Sequence, residues 1–124
     1  MSHEITPLQR EDAHEVLGVG RIVEVPSKWW GQIPAEEESV CDYTAEIERW
    51  LKQEAKAGDM LLVQGDFGAT VRMVQFARDI GVIPVYATTN RVSKEVVDGD
   101  RVTTVREFRH VRFRRYETEC KKDN

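Results

Sequence analysis

Apolar residues recur along the chain in two rhythms, and the switches between them predict the elements. Over residues 42–57, Tyr43, Ile47, Trp50, Leu51 and Ala55 fall on one helical stripe, with Gly58 placed to end it. Residues 69–80 repeat the pattern with Val71, Val74, Phe76, Ala77 and Ile80, closed by Gly81. An earlier helix is expected over 8–17, opened by Thr6 as cap and Pro7 at the first helical position, with Gly18 beyond its end. Residues 60–64 and 82–87 are continuous apolar runs, the pattern of strands buried on both faces of a parallel sheet. Residues 21–25 alternate and stop at Pro26, which predicts a short strand, and a long loop follows. After that, 94–97, the turn Asp98-Gly99-Asp100 and 101–108 carry a hairpin signal, and 111–116 adds one more strand. Helices alternating with buried strands, then an antiparallel finish, predict a three-layer α/β fold.

Composition narrows the class without changing the picture. A chain of 124 residues, 40% hydrophobic and 32% charged, is one domain with a real core. No apolar run approaches the ~20 residues that span a bilayer, and no signal peptide opens the chain. Cys41 and Cys120 match no metal spacing and read as reduced thiols of a cytoplasmic protein, with a disulfide as the alternative. The net charge of −4 is unevenly spread: residues 1–59 hold 13 acids and 6 Lys/Arg (−7), residues 60–124 hold 9 and 12 (+3). Six arginines within 101–116 face one glutamate, which is either a solvated strand face or a local site for an anion. The acidic first half argues against long nucleic acid as partner.

Chemistry concentrates at Gln64-Gly65-Asp66-Phe67-Gly68-Ala69-Thr70, between an expected buried strand and an expected helix. Free backbone N–H groups and the positive end of a helix dipole would point above the strand's carboxyl end, where ligands of open parallel sheets bind. Gly65 and Gly68 would allow positive φ and close approach of an anion. The same residues also suit a tight turn and nothing more. The spacing is neither a dinucleotide fingerprint nor a P-loop, and the Asp-Phe-Gly triplet lacks every other protein-kinase element. The next expected strand ends in Thr88, Thr89, Asn90 and Arg91, a second set of phosphate-compatible side chains or an ordinary loop cap.

His14 reads as a solvated helix residue. Strict alternation through 108–116 puts His110, Arg112, Arg114 and Tyr116 on one face, and Arg109, Val111, Phe113 and Arg115 on the other. Of the adjacent Trp29 and Trp30, at least one ring is expected to be buried.

The stretches SHEITPLQREDAHEVLGV, LLVQGDFGATVRMVQFA, IPVYATTNRV and FRHVRFRRY together resemble a family of small CRISPR-associated accessory proteins of type III loci. These are similar to the CRISPR-associated Rossmann (CARF) fold and include ring nucleases. The resemblance spans nearly the whole chain apart from 26–41 and the last few residues. It implies one CARF-like domain over 1–124, with a Rossmann-like, mainly parallel sheet and a C-terminal antiparallel hairpin. It further implies a homodimer that binds cyclic oligoadenylate, most often the tetra-adenylate, and cleaves it to linear products, ending type III antiviral signalling. Such proteins carry an apolar strand before their Ser-His pair, whereas this chain opens Met1-Ser2-His3.

Under that resemblance cleavage needs no metal and no cofactor: a ribose 2′-hydroxyl attacks the adjacent phosphate in line. The implied catalytic residues are His3 as general acid or base, Thr70 and Arg91. Ligand contacts are expected from Ser2, Gln64, Gly65, Asp66, Phe67, Gly68, Ala69, Thr88, Thr89 and Asn90. A non-catalytic sensor or sequestering protein for cyclic oligoadenylate, and a nucleotide-binding subunit of a larger complex, are the competing functions.

Overall fold

The structure, a computed structural model, describes residues 5–118 and Cys120. In chain order the elements are α1 (Pro7–Glu15), α2 (Cys41–Glu54), β1 (Met60–Leu62), α3 (Phe67–Asp79), β2 (Ile83–Asp98) and β3 (Arg101–Arg115).

The expected mainly parallel, Rossmann-like sheet is not what forms. Among the described residues the sheet has three strands in the order β1-β2-β3, with one short parallel pair and one long antiparallel hairpin. Two sequence expectations account for the difference. Residues 21–25 do alternate, but they form no strand: among the described residues β1 pairs with β2 alone, and 21–25 do not join its open edge. Ile22 and Val25 still use the alternation to pack against the two apolar clusters. The segment 88–91, expected as a loop, continues as the middle of β2, so what read as four short strands fuses into two of 16 and 15 residues.

Capping explains the helix starts. Thr6 Oγ1 accepts from Gln9 N–H, and the Gln9 side chain accepts from Thr6 N–H, a reciprocal box at α1. Asp66 Oδ1 accepts from Ala69 N–H at 2.9 Å and opens α3.

Directly paired residues share a face, so the register sorts the core. Leu61, Val63 and Val82 pack with Ile47 and Leu51 of α2 and Met73, Phe76 and Ala77 of α3. Val85 and Phe113 lie on the other face with Ala13 of α1, joined by Leu17, Val19 and Ile22. Arg72 of α3 reaches Glu48 of α2 at 2.6 Å, a charge pair at the margin of the apolar contact between these helices. Leu62 is exposed, so β1 is not buried on both faces as its composition suggested.

Tyr116 ties the end of β3 to β1: its hydroxyl donates to the Val63 carbonyl, while Arg78 donates to the Tyr116 carbonyl. Burial raises the Tyr116 phenol above the ordinary tyrosine value. Below about pH 10 both folded and unfolded chains keep this proton, so stability is flat there. Above it the unfolded chain ionises first, and stability falls as pH rises toward the folded value. Tyr116→Phe is expected to cost about 1 kcal/mol near neutrality and to give a shallower alkaline loss of stability in urea melts.

Candidate functional site

The turn 64–70 leaves the sheet where the parallel ladder stops, and three side chains tidy that exit. Val63 N–H still donates to the Val85 carbonyl, but beyond Val63 the chain diverges from β2, which would orphan the Ala87 N–H; Gln64 Oε1 accepts it at 2.9 Å. Trp30 Nε1 donates to the Gln64 carbonyl at 3.0 Å, and Tyr116 takes the carbonyl before it. Gly65 has φ +146, and a Cβ there would stand 3.2 Å from Trp30 Nε1. Trp30 is therefore the partly buried tryptophan of the pair, while exposed Trp29 meets Tyr43 edge-on at 5.4 Å.

Gly68 differs from its expected role. Its φ is not positive, and a Cβ would make only ordinary contacts, the nearest being Asp66 Oδ1 at 3.6 Å. It is a first-turn residue of α3 rather than a strained one.

Ala69 and Thr70 N–H groups are already bonded to Asp66, through its carboxylate and its carbonyl. Phe67 and Gly68, at the first two helical positions, have no intrahelical acceptor for theirs. Thr70 Oγ1 is buried, and among the described residues it has no hydrogen-bond partner. Phe67 itself is 91% exposed, so its ring does no packing on the described residues. The turn thus offers two N–H donors, a sequestered hydroxyl and a bare aromatic face, with one carboxylate beside them.

The second expected set is divided by the pleat of β2. Thr88 and Asn90 lie on the sheet face that carries α2 and α3; Thr89 and Arg91 lie on the face of α1. Thr88 donates to the Arg112 carbonyl, and the Arg91 guanidinium stacks on Phe108 at 5.3 Å, away from the turn. Ser2 and His3 lie outside the described residues.

Strict alternation through 108–116 fails at one place. The register slips between Thr88 and Thr89, leaving Val111 as an extra residue in β3, and a bulge moves every later side chain to the opposite face. His110 consequently shares a face with Phe113, ring centroids 4.8 Å apart, and not with Arg112 and Arg114. Its side chain is 4% exposed and its Nε2 lies 2.7 Å from Asp12 Oδ2 of α1, while Nδ1 is buried without a partner among the described residues. Sequence reasoning missed this contact, because Asp12 is 98 residues away in the chain. His14, expected to be solvated only, contacts the Val19 carbonyl through Nδ1 at 2.6 Å. Arg112, Arg114, Tyr86 and Tyr116 occupy the face of α3, where Arg114 lies over Tyr86 and the two tyrosine rings are 4.7 Å apart.

A mixed α/β protein built on one strand–helix–strand unit and one long hairpin, with its candidate anion site at the strand-to-helix turn, is the class these features define. The chain belongs to the uncharacterized protein MJ1673 family, whose profile matches residues 1–114. The uncharacterized protein MJ1673 of Methanocaldococcus jannaschii is 39% identical over 118 residues, covering 93% of this chain and 92% of that protein. No solved structure matches the chain. Neither match carries a link to CRISPR-associated proteins or ring nucleases.

The two glycines of the turn are expected to respond differently. Gly65→Ala should destabilise the protein and red-shift tryptophan emission, because Trp30 must move. Gly68→Ala should be neutral or slightly stabilising, since alanine suits a helix better. Thermal melts read alongside fluorescence check both.

Proposed function

We propose that the turn 64–70 binds a phosphate of a nucleotide, that the ligand is cyclic oligoadenylate, with the tetra-adenylate favoured, and that the protein cleaves it without metal. The observation that carries the reading is the Thr70 hydroxyl, buried and unpartnered in the first turn of α3. An unmet buried hydroxyl costs stability unless a ligand takes it up. The free N–H groups of Phe67 and Gly68 at the positive end of the α3 dipole suit the same phosphate. Exposed Phe67 provides a ring on which an adenine can stack. Arg112 and Arg114, on the sheet face that carries α3, supply positive charge for neighbouring phosphates. The sequence resemblance supports cyclic oligoadenylate over other nucleotides.

In this reading the ribose 2′-oxygen attacks the adjacent phosphorus as the bond to the 5′-oxygen breaks. The 2′-hydroxyl loses its proton and the leaving 5′-oxygen gains one, leaving 2′,3′-cyclic phosphate and 5′-hydroxyl ends. No water is consumed. The protein's work is to hold the in-line geometry and to stabilise charge on the phosphoryl oxygens. Arg91, on the opposite sheet face, is replaced in this role by Arg112 and Arg114, and His3 remains the candidate acid or base.

One observation favours a binding-only reading. The Asp66 carboxylate already bonds Ala69 N–H, so a fixed negative charge lies beside the phosphate position and opposes charge build-up there. Product analysis separates the two. Incubation with cyclic tri-, tetra- and hexa-adenylate in excess chelator should give linear products with 2′,3′-cyclic phosphate ends. Tight binding without turnover would support the sensor, and cleavage only with added manganese or magnesium would overturn the metal-free mechanism.

Variants locate the site. Thr70→Val should weaken binding by about 1–3 kcal/mol while preserving shape. Phe67→Ala should weaken it by a similar amount with no loss of thermal stability, since the ring is 91% exposed. Unchanged affinity in both would remove the turn from consideration.

A further inference from the structure

Beyond Thr89 and His110 the hairpin leaves the body of the protein. Nine cross-strand pairs follow, from Asn90–Arg109 to Asp98–Arg101, which is an arm of about 30 Å at ~3.3 Å per residue. Every residue from 93 to 109 is exposed, and an isolated two-stranded ribbon is marginally stable in water. One face of this arm is apolar at its ends: Phe108 is 68% exposed, Val97 69% and Val102 62%.

The cross-strand rows on that face run in the order Arg91–Phe108, Ser93–Arg106, Glu95–Thr104, Val97–Val102. The order is self-complementary. A two-fold axis between the second and third rows sets Phe108 of one chain on the Val97–Val102 row of another. The same axis lays the Ser93–Arg106 row on the Glu95–Thr104 row of the second copy, where the long Arg106 side chain reaches Glu95 diagonally. Each contact is made twice, as a two-fold interface requires. Charge points to the same partner: residues 90–109 hold five basic and four acidic side chains, too balanced for a polyanion and interleaved as a like surface would need.

We propose that this arm is the dimerisation element of the protein, packing face to face and antiparallel on the same arm of a second copy. The two ribbons would lie about 10 Å apart, like the sheets of a sandwich. Burial of Phe108 and the valines supplies the association energy, and the Arg106–Glu95 contacts fix direction and register. The interface is independent of the ligand at the turn 64–70, so its success or failure leaves the nucleotide reading to be judged by product analysis.

The test is the solution mass of the full chain without ligand, with circular dichroism and melting temperature confirming that each variant folds. The parent chain is expected at twice 14.3 kDa at micromolar concentration. Arg106→Glu and Glu95→Arg should each weaken dimerisation at least tenfold, as should Phe108→Ser. The double variant Glu95→Arg with Arg106→Glu should recover the dimer, because each charge then meets its new opposite. A monomeric parent would overturn the proposal. So would a dimer indifferent to all three single changes, or a double variant that stays as weak as the singles.

Discussion

Everything in this fold depends on β2 being shared unequally. On one side it holds β1 over three parallel pairs, on the other β3 over nearly its whole length. The short parallel contact suffices because β1 lies against two helices: Leu61 and Val63 are buried among Ile47, Leu51, Met73 and Phe76. Where the ladder stops, side chains complete it. Gln64 accepts the Ala87 N–H, and Trp30 and Tyr116 donate to the two carbonyls that end the strand. Three side chains from distant parts of the sequence hold one strand exit, so the turn that follows starts from a fixed point.

That fixed point gives the turn its chemical interest. A helix start normally satisfies its own polar groups, and Asp66 does part of this for α3. The Thr70 hydroxyl is left over, buried without a partner among the described residues, and Phe67 faces water. A rigid exit beside unsatisfied donors is how proteins prepare for an anion, since the donors then need no reorganisation on binding. The Asp66 carboxylate works against it, so affinity must come from several modest contacts at once.

The bulge at Val111 divides the hairpin into two regimes. Phe113 on the near side and His110 at the first pair beyond the bulge both turn toward α1, and the His110–Asp12 contact anchors that helix to the sheet. Past His110 no described helix covers the ribbon, and residues 93–109 are all exposed. One inserted residue thus decides which arginines share a face with α3 and which line the arm. Arg112 and Arg114 fall with α3, whereas Arg91 and Arg106 fall on the α1 face of the arm.

Local signals fixed a large part of this. Capping residues and 3.6-residue periodicity were enough to define α1, α2 and α3 within a few positions, because those patterns act over single turns. Asp98-Gly99-Asp100 was enough to mark the hairpin, with Gly99 at φ +62. Sheet order was not available in the same way. Whether residues 21–25 form a strand depends on how they approach the open edge of β1, and whether 88–91 ends a strand depends on β3 continuing alongside; neither neighbour is adjacent in sequence. The sequence by itself therefore determined the helices, the turn at 64–70 and the hairpin. Only the tertiary structure decided the three-stranded mixed sheet, the separation of Thr88 from Arg91, and the burial of His110 against Asp12. Each of these follows from a long-range register, and a one-residue shift in register reverses which face every side chain occupies.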